Sequence, residues 1–304
     1  VLACAAAVSL VAACGPSGGG RPGSGTCATT AGPGPRGVLA VAAINGTEPE
    51  IVTQLYALCL ALAGYVVSPT ARIGSRETAL PALGVADIDL YPEYVGTLLT
   101  FLAGTPSSDL GSTLAELRQV LAARGVTLLD PAPAENRRGF AVSAATAARL
   151  GLARLSDLRP VAGQLVFGGG PDCPAQAHCL PGLERIYGLR FKEVRRLDAG
   201  GPATEQALVA GDIDVATMST SDAAVAAHDF VILTDDRGLS PVDNLVPAVR
   251  TERLTPDIAA VLNRLSAGLT TADLAEMNRQ VEVDRKGPAE VAARWLKENG
   301  YSSR

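Results

Sequence analysis

Aromatic residues are scarce in this chain: one Trp, six Tyr and five Phe among 304 residues, 4% in all. The core must therefore be largely aliphatic, and any gathering of rings stands out as a candidate site. Histidine is rarer still, at two residues, which leaves little for acid–base catalysis near neutral pH. Basic excess is lacking too. With 26 Lys and Arg against 31 Asp and Glu the net charge is −5, and no basic stripe offers to displace counterions from phosphate. Nucleic acid is excluded as a partner on that ground. No apolar run reaches the ~20 residues that a membrane-spanning helix needs.

What is present begins with VLACAAAVSLVAAC, which has the length of a signal-peptide apolar core. The basic leader that precedes such cores is not in the sequence, so the reading is expected to begin inside a signal. Its end, Val11-Ala12-Ala13-Cys14, matches the bacterial lipobox, in which the Cys is lipidated and becomes the new N-terminus. Residues 1–14 are thus expected to be signal remnant and lipobox, and the Gly/Pro/Ser-rich residues 15–36 a flexible tether. The expected address is extracytoplasmic, at the cell membrane through a lipid anchor only. An ordinary cleaved signal, with Cys14 incidental, leads to the same side of the membrane.

Cysteine usage fits that address. With Cys4 and Cys14 assigned to the signal, Cys27, Cys59, Cys173 and Cys179 remain, and four cysteines allow three pairings. Cys173 and Cys179 bracket a short Pro-containing loop (CPAQAHC), so a local staple there is the economical choice and leaves Cys27 for Cys59. A zinc site using His178 would find no fourth ligand nearby, and no metal or other cofactor is expected.

The chain is long enough for two ordinary domains. Residues 37–44 read as a buried strand, and Thr47 with Glu50 as a capping box opening a helix that Gly64 ends. Strand and helix patterns then alternate, which predicts a parallel sheet faced by helices. A second, similar alternation follows residue 138, and the C-terminal part is nearly all helix, started at Thr255, Thr270 or Thr271, and Gly287-Pro288. Two α/β lobes joined by extended crossings near 131–138 and 244–250 predict a hinged clamp.

The densest stretch is 87–97, DIDLYPEYVGT, with paired carboxylates and two tyrosines ahead of a Gly-Thr turn. At a strand end such a set suits a small-molecule pocket, although a surface turn with two packed tyrosines reads equally well from composition. This motif resembles the signature of the osmoprotectant-type binding proteins of ABC importers, which take betaine, choline and carnitine. NRRGFAVS, ARLSDL, GLERIYGLRF, LVAGDIDVATMSTSD, LTDDRG and PAVRTERL also resemble family blocks, in the family's order, over roughly residues 37–301. The resemblance implies a two-lobe periplasmic-binding-protein fold of the type II kind, hinged by two crossings, with the ligand in the inter-lobe cleft. Lobe 1 would comprise 37–136 plus 247–304, and lobe 2 residues 137–246. It also implies the partners: a small-molecule ligand, a permease and a cytoplasmic ATPase, served by a monomer.

Family members hold quaternary ammonium groups in an aromatic cage, because a cation without N–H donors is best met by ring faces. Carried over block by block, Tyr94 stands at a cage tyrosine, Thr97 at a nearby polar contact and Asn136 at a pocket Asn or Asp. The other ring positions fall at Arg138, at Ser219 and near 242–243, where no aromatic residue stands. The resemblance therefore implies a cage mostly replaced by hydrogen-bonding groups: Tyr94, Thr97, Asn136, Arg138, Ser219, Ser221 and Asp243, with Asn45 at the rim. The expected cargo is a small polar organic solute that is hydroxylated, carboxylated or phenolic. The alternative is a glycine betaine or choline binder with a rearranged pocket. Catalysis is not expected, since no nucleophile elbow, phosphate loop or acid–base pair is present.

Overall fold

The computed structural model describes Cys27 and residues 36–68 and 71–301. Cys14, the signal remnant and most of the tether lie outside the described residues. Helices and strands alternate into two lobes, each with its own sheet.

In the first lobe the strand Leu245–Arg250 is central, antiparallel to Leu90–Tyr94 on one side and to Val126–Leu128 on the other. A bridge between Val41 and Leu90 extends this layer to the parallel pair Ala42–Ile44 and Ala71–Gly74. The second lobe holds five strands in the order Val231–Ile232, Arg138–Val142, Val215–Ser219, Val166–Gly169, Glu193–Arg196. Arg138–Val142 runs antiparallel to both neighbours and the remaining pairings are parallel. The second lobe's sheet is thus mixed, and the first lobe joins an antiparallel three-stranded sheet to parallel pairs, so neither is the parallel sheet that the alternation predicts. The antiparallel members are strands that have just entered a lobe through a crossing, or are about to leave it, a constraint that local periodicity does not carry.

Helix Thr47–Leu62 forms where its apolar spacing predicts, with Ile51, Val52, Leu55 and Leu60 wholly buried. The capping box does not form. Gly46 stands at the N-cap with φ of 135°, and no side chain caps the helix. Glu50 instead pairs with Arg72. Elsewhere capping follows the sequence: Thr255 accepts from the Ile258 N–H at 3.2 Å, and Thr270 with Asp273 makes a reciprocal box. The 87–97 stretch is not a strand followed by a turn, because helix Val95–Phe101 follows strand Leu90–Tyr94 directly.

Both expected disulfides are present, Cys27–Cys59 and Cys173–Cys179. Each is buried, the first in the core under helix Thr47–Leu62 and the second in the core of the other lobe.

The crossings are shorter than predicted. Glu135 and Asn244 form an antiparallel bridge, flanked by Asn136 N–H to Asp243 C=O at 3.1 Å and Leu245 N–H to Ala134 C=O at 2.9 Å. Residues 245–250 belong to the central strand, so the hinge is a two-stranded ribbon only a few residues long. Helix Thr271–Glu282 packs beside it, against helix Thr47–Leu62 of the first lobe and helix Ala223–Ala227 of the second.

Candidate ligand-binding cleft

Between the lobes, in front of the hinge ribbon, lies a cleft of about 570 Å³. Gly96, Thr97 and Thr100 form its first-lobe wall, Asn136 to Arg138 and Pro241 to Asp243 its floor, and Gln176, His178 and Thr217 to Ser219 much of its second-lobe wall. No Phe, Tyr or Trp side chain lines it, and its one ring is the imidazole of His178.

Gly96 is what lets the floor meet the wall. A Cβ there would lie 2.2 Å from the Val242 carbonyl oxygen and 3.3 Å from Asp243 Oδ1, so only glycine allows the returning crossing to lie against the helix. That approach seats the Asp243 carboxylate on Thr97, which donates its backbone N–H at 2.8 Å and also its hydroxyl. Burial raises the Asp243 carboxyl to about 6, the two Thr97 bonds and the Gly96 backbone oppose the rise, and the charge of Glu93 adds to it.

Arg138 opens the strand Arg138–Val142 and reaches the cleft two residues beyond Asn136. Its Nη1 is buried with no hydrogen-bond partner, and its guanidinium enters no ion pair among the described residues. The neighbouring Arg137 is engaged, with Glu135 at 2.8 Å and Asp235 at 3.4 Å.

Thr97, Asn136, Arg138, Ser219 and Asp243 thus come together, although they are spread over almost half the sequence. Two of them, Asn136 and Ser219, are partly committed: Asn136 Nδ2 donates to Glu48 at 2.9 Å, and its Oδ1 accepts from the Ser219 hydroxyl. The other three expected residues lie elsewhere. Asn45 is exposed, with its N–H on Gly74 C=O at 2.7 Å, and does not reach the cleft. Ser221 is buried behind Ser219, and its carbonyl accepts from Asn278. Tyr94 is only 7% exposed, and its hydroxyl donates to the buried Glu48. That ring is packed in the core and not presented to a ligand.

Two of the motif's carboxylates are structural as well. Glu93 is fully buried and takes both arms of the Arg76 fork at 2.6 and 2.9 Å, while Asp89 pairs with Arg250 at 2.6 Å. Sequence reasoning missed Gln176, His178 and Ser240. The first two sit on the loop closed by Cys173–Cys179, which brings them to the cleft while His178 Nδ1 is held 2.9 Å from Leu239 C=O. A loop pinned at both ends to a buried core was the available signal.

The family described as the substrate-binding domain of ABC-type glycine betaine transport systems, OpuAC, matches residues 37–298. The chain belongs to this family. As an OpuAC protein it is the extracytoplasmic substrate-binding component of an osmoprotectant ABC importer, working with a permease and an ATPase, and is not an enzyme. A glycine-betaine-binding protein of Pseudomonas aeruginosa is 27% identical over 267 residues, covering 83% of this chain and 85% of that one. Glycine betaine-binding protein YehZ of Escherichia coli is 24% identical over 84% of this chain and 88% of its own, and the apo YehZ structure superposes with a TM-score of 0.78. The ergothioneine transport permease/ergothioneine binding protein EgtU of Helicobacter pylori is 25% identical over 86% of this chain and 48% of its own. The two-lobe architecture of this OpuAC chain is that of the solved YehZ fold. No helix among its described residues is long and apolar enough to cross a membrane.

Proposed function

We propose that this OpuAC protein is a monomeric lipoprotein, anchored through Cys14, that captures a carboxylate-bearing polar solute between its lobes and delivers it to the permease. The observation that carries this reading is Arg138, a guanidinium with a buried, unpartnered N–H in a cleft that no Phe, Tyr or Trp lines. A desolvated donor left unmade is costly, and a planar fork is best met by a carboxylate that accepts two parallel bonds. Hydroxyls on the solute would meet Thr97, Ser219 and Ser240 around it. A quaternary ammonium group would find no cage of Phe, Tyr or Trp faces there. Relatives named for glycine betaine and for ergothioneine are consistent with a common clamp whose cargo varies.

The test is a thermal-shift screen of the mature chain, disulfides intact, against carboxylates, polyols, sugars, phenolic compounds and the quaternary amines. Binding to the native state alone raises the melting temperature by mass action. Stabilisation by carboxylates that Arg138→Ala removes, with the unliganded melting temperature kept, is the expected result. Stabilisation by choline, which has no carboxylate, would overturn the reading in favour of a rearranged quaternary-ammonium site.

A further inference from the structure

The cleft carries two opposite charges that do not neutralise each other. Arg138 and Asp243 stand on the two strands of the hinge ribbon, and neither enters an ion pair among the described residues. Asp243 lies across from Asn136, and Arg138 is two residues further along that strand, roughly 7 Å by strand rise. Opposite charges so placed, each partly desolvated and neither in an ion pair, are matched by a ligand carrying both signs close together.

The kind of cation follows from how Asp243 is held. Its oxygens accept from the Thr97 N–H and hydroxyl and from the Gly96 backbone, yet an ionised carboxylate offers about four lone-pair positions, so about one remains for a ligand. That position rewards an N–H donor and offers little directional gain to a methylated ammonium, whose charge is buried beneath its methyl groups. The walls give no Phe, Tyr or Trp ring to compensate, only the His178 imidazole, which the Leu239 carbonyl holds. Resting on the carboxylate reading above, we infer that the solute is a zwitterion whose cationic nitrogen keeps at least one N–H, bonded to Asp243 while its carboxylate sits on Arg138. The elevated carboxyl of Asp243 agrees with a site that a cationic ligand would relieve.

N-methylation separates this inference from the reading it rests on. The mature chain is titrated calorimetrically with glycine, sarcosine, N,N-dimethylglycine and glycine betaine, and with proline, N-methylproline and proline betaine. In each series the charges are fixed and only the last member lacks an N–H. Expected is at least a tenfold weaker affinity for that last member, and loss of this discrimination in Asp243→Asn. Equal or tighter binding of the quaternary members overturns the inference. So does silence from every N–H amine while amine-free carboxylates such as hydroxy acids bind, an outcome that leaves the carboxylate reading standing.

Discussion

The Tyr94 hydroxyl donates to the Glu48 carboxylate inside the protein, and Asn136 and Asn278 donate to the same carboxylate at 2.9 and 2.7 Å. Glu48 belongs to the first turn of a first-lobe helix, Asn136 to the hinge ribbon, and Asn278 also bonds the Ser221 carbonyl of the second lobe at 2.8 Å. One buried carboxylate thereby ties both lobes to the hinge. Burial, then the Glu48 charge and its hydrogen bond, hold the Tyr94 phenol well above its ordinary range, so it stays a donor at any working pH.

Tyr94→Ala is expected to cost about 3 to 5 kcal/mol of unfolding free energy, as for other buried aromatic truncations. Tyr94→Phe removes one of the donors and should cost about 1 to 2 kcal/mol. Denaturant melts of the unliganded protein measure both. An unchanged midpoint for the alanine variant would put the ring back in the ligand's path.

Asp243 sets a pH dependence with a definite sign. Its folded-state carboxyl, at about 6, lies above the ordinary value of 3.8, so between these limits the folded protein holds a proton that the unfolded chain has released. Stability is therefore full below the lower limit, falls as pH rises through the window, and levels off above it. Glu93, Arg76 and Tyr94 from the first lobe, and Arg137, Arg138 and His178 along the cleft, are the other charged or titratable groups facing this region. Screening in an open cleft limits the effect to on the order of 1 kcal/mol. Melting curves from pH 4 to 7 should slope less for Asp243→Asn than for the parent; equal slopes would assign the dependence to another group.

Gly96→Ala should act on both stability and capture, because its Cβ would strike the Val242 carbonyl and push the returning crossing off Thr97. A loss of about 1 to 3 kcal/mol is expected, as for other overpacked sites. Calorimetric affinity for the best carboxylate of the screen should fall with it. Retained affinity would mean that the Thr97–Asp243 contact does not shape the site.

The two disulfides close loops of different size, with sequence separations of 32 and 6. Chain-entropy arguments give about 4 kcal/mol for the longer loop and about 2 kcal/mol for the shorter. Replacing Cys27 and Cys59 by Ser should lower stability more. Replacing Cys173 and Cys179 should cost less stability yet weaken ligand binding, since that loop presents Gln176 and His178. Paired denaturation and calorimetry on the two double variants would show the ordering, and the reverse ordering would defeat the argument.

Local sequence determined a great deal here. Apolar spacing and caps located nearly every helix, the short Cys173–Cys179 spacing led to both disulfide pairings, and ordered blocks from 37 to 301 carried the family and its clamp. Ring-free positions at Arg138, Ser219 and Asp243 were legible too, because the absence of an aromatic residue does not depend on which way a side chain points. Only the tertiary structure decided what each polar group faces. Tyr94 and Thr97 are three residues apart, yet one is packed onto Glu48 and the other opens to the cleft, because the strand ends and a helix begins between them. Antiparallel strands enter both lobes because the chain crosses between them twice, and Gln176 and His178 reach the cleft only through a loop folded back onto the second core. Such placements depend on contacts between residues tens to hundreds of positions apart, which no local pattern of the chain encodes.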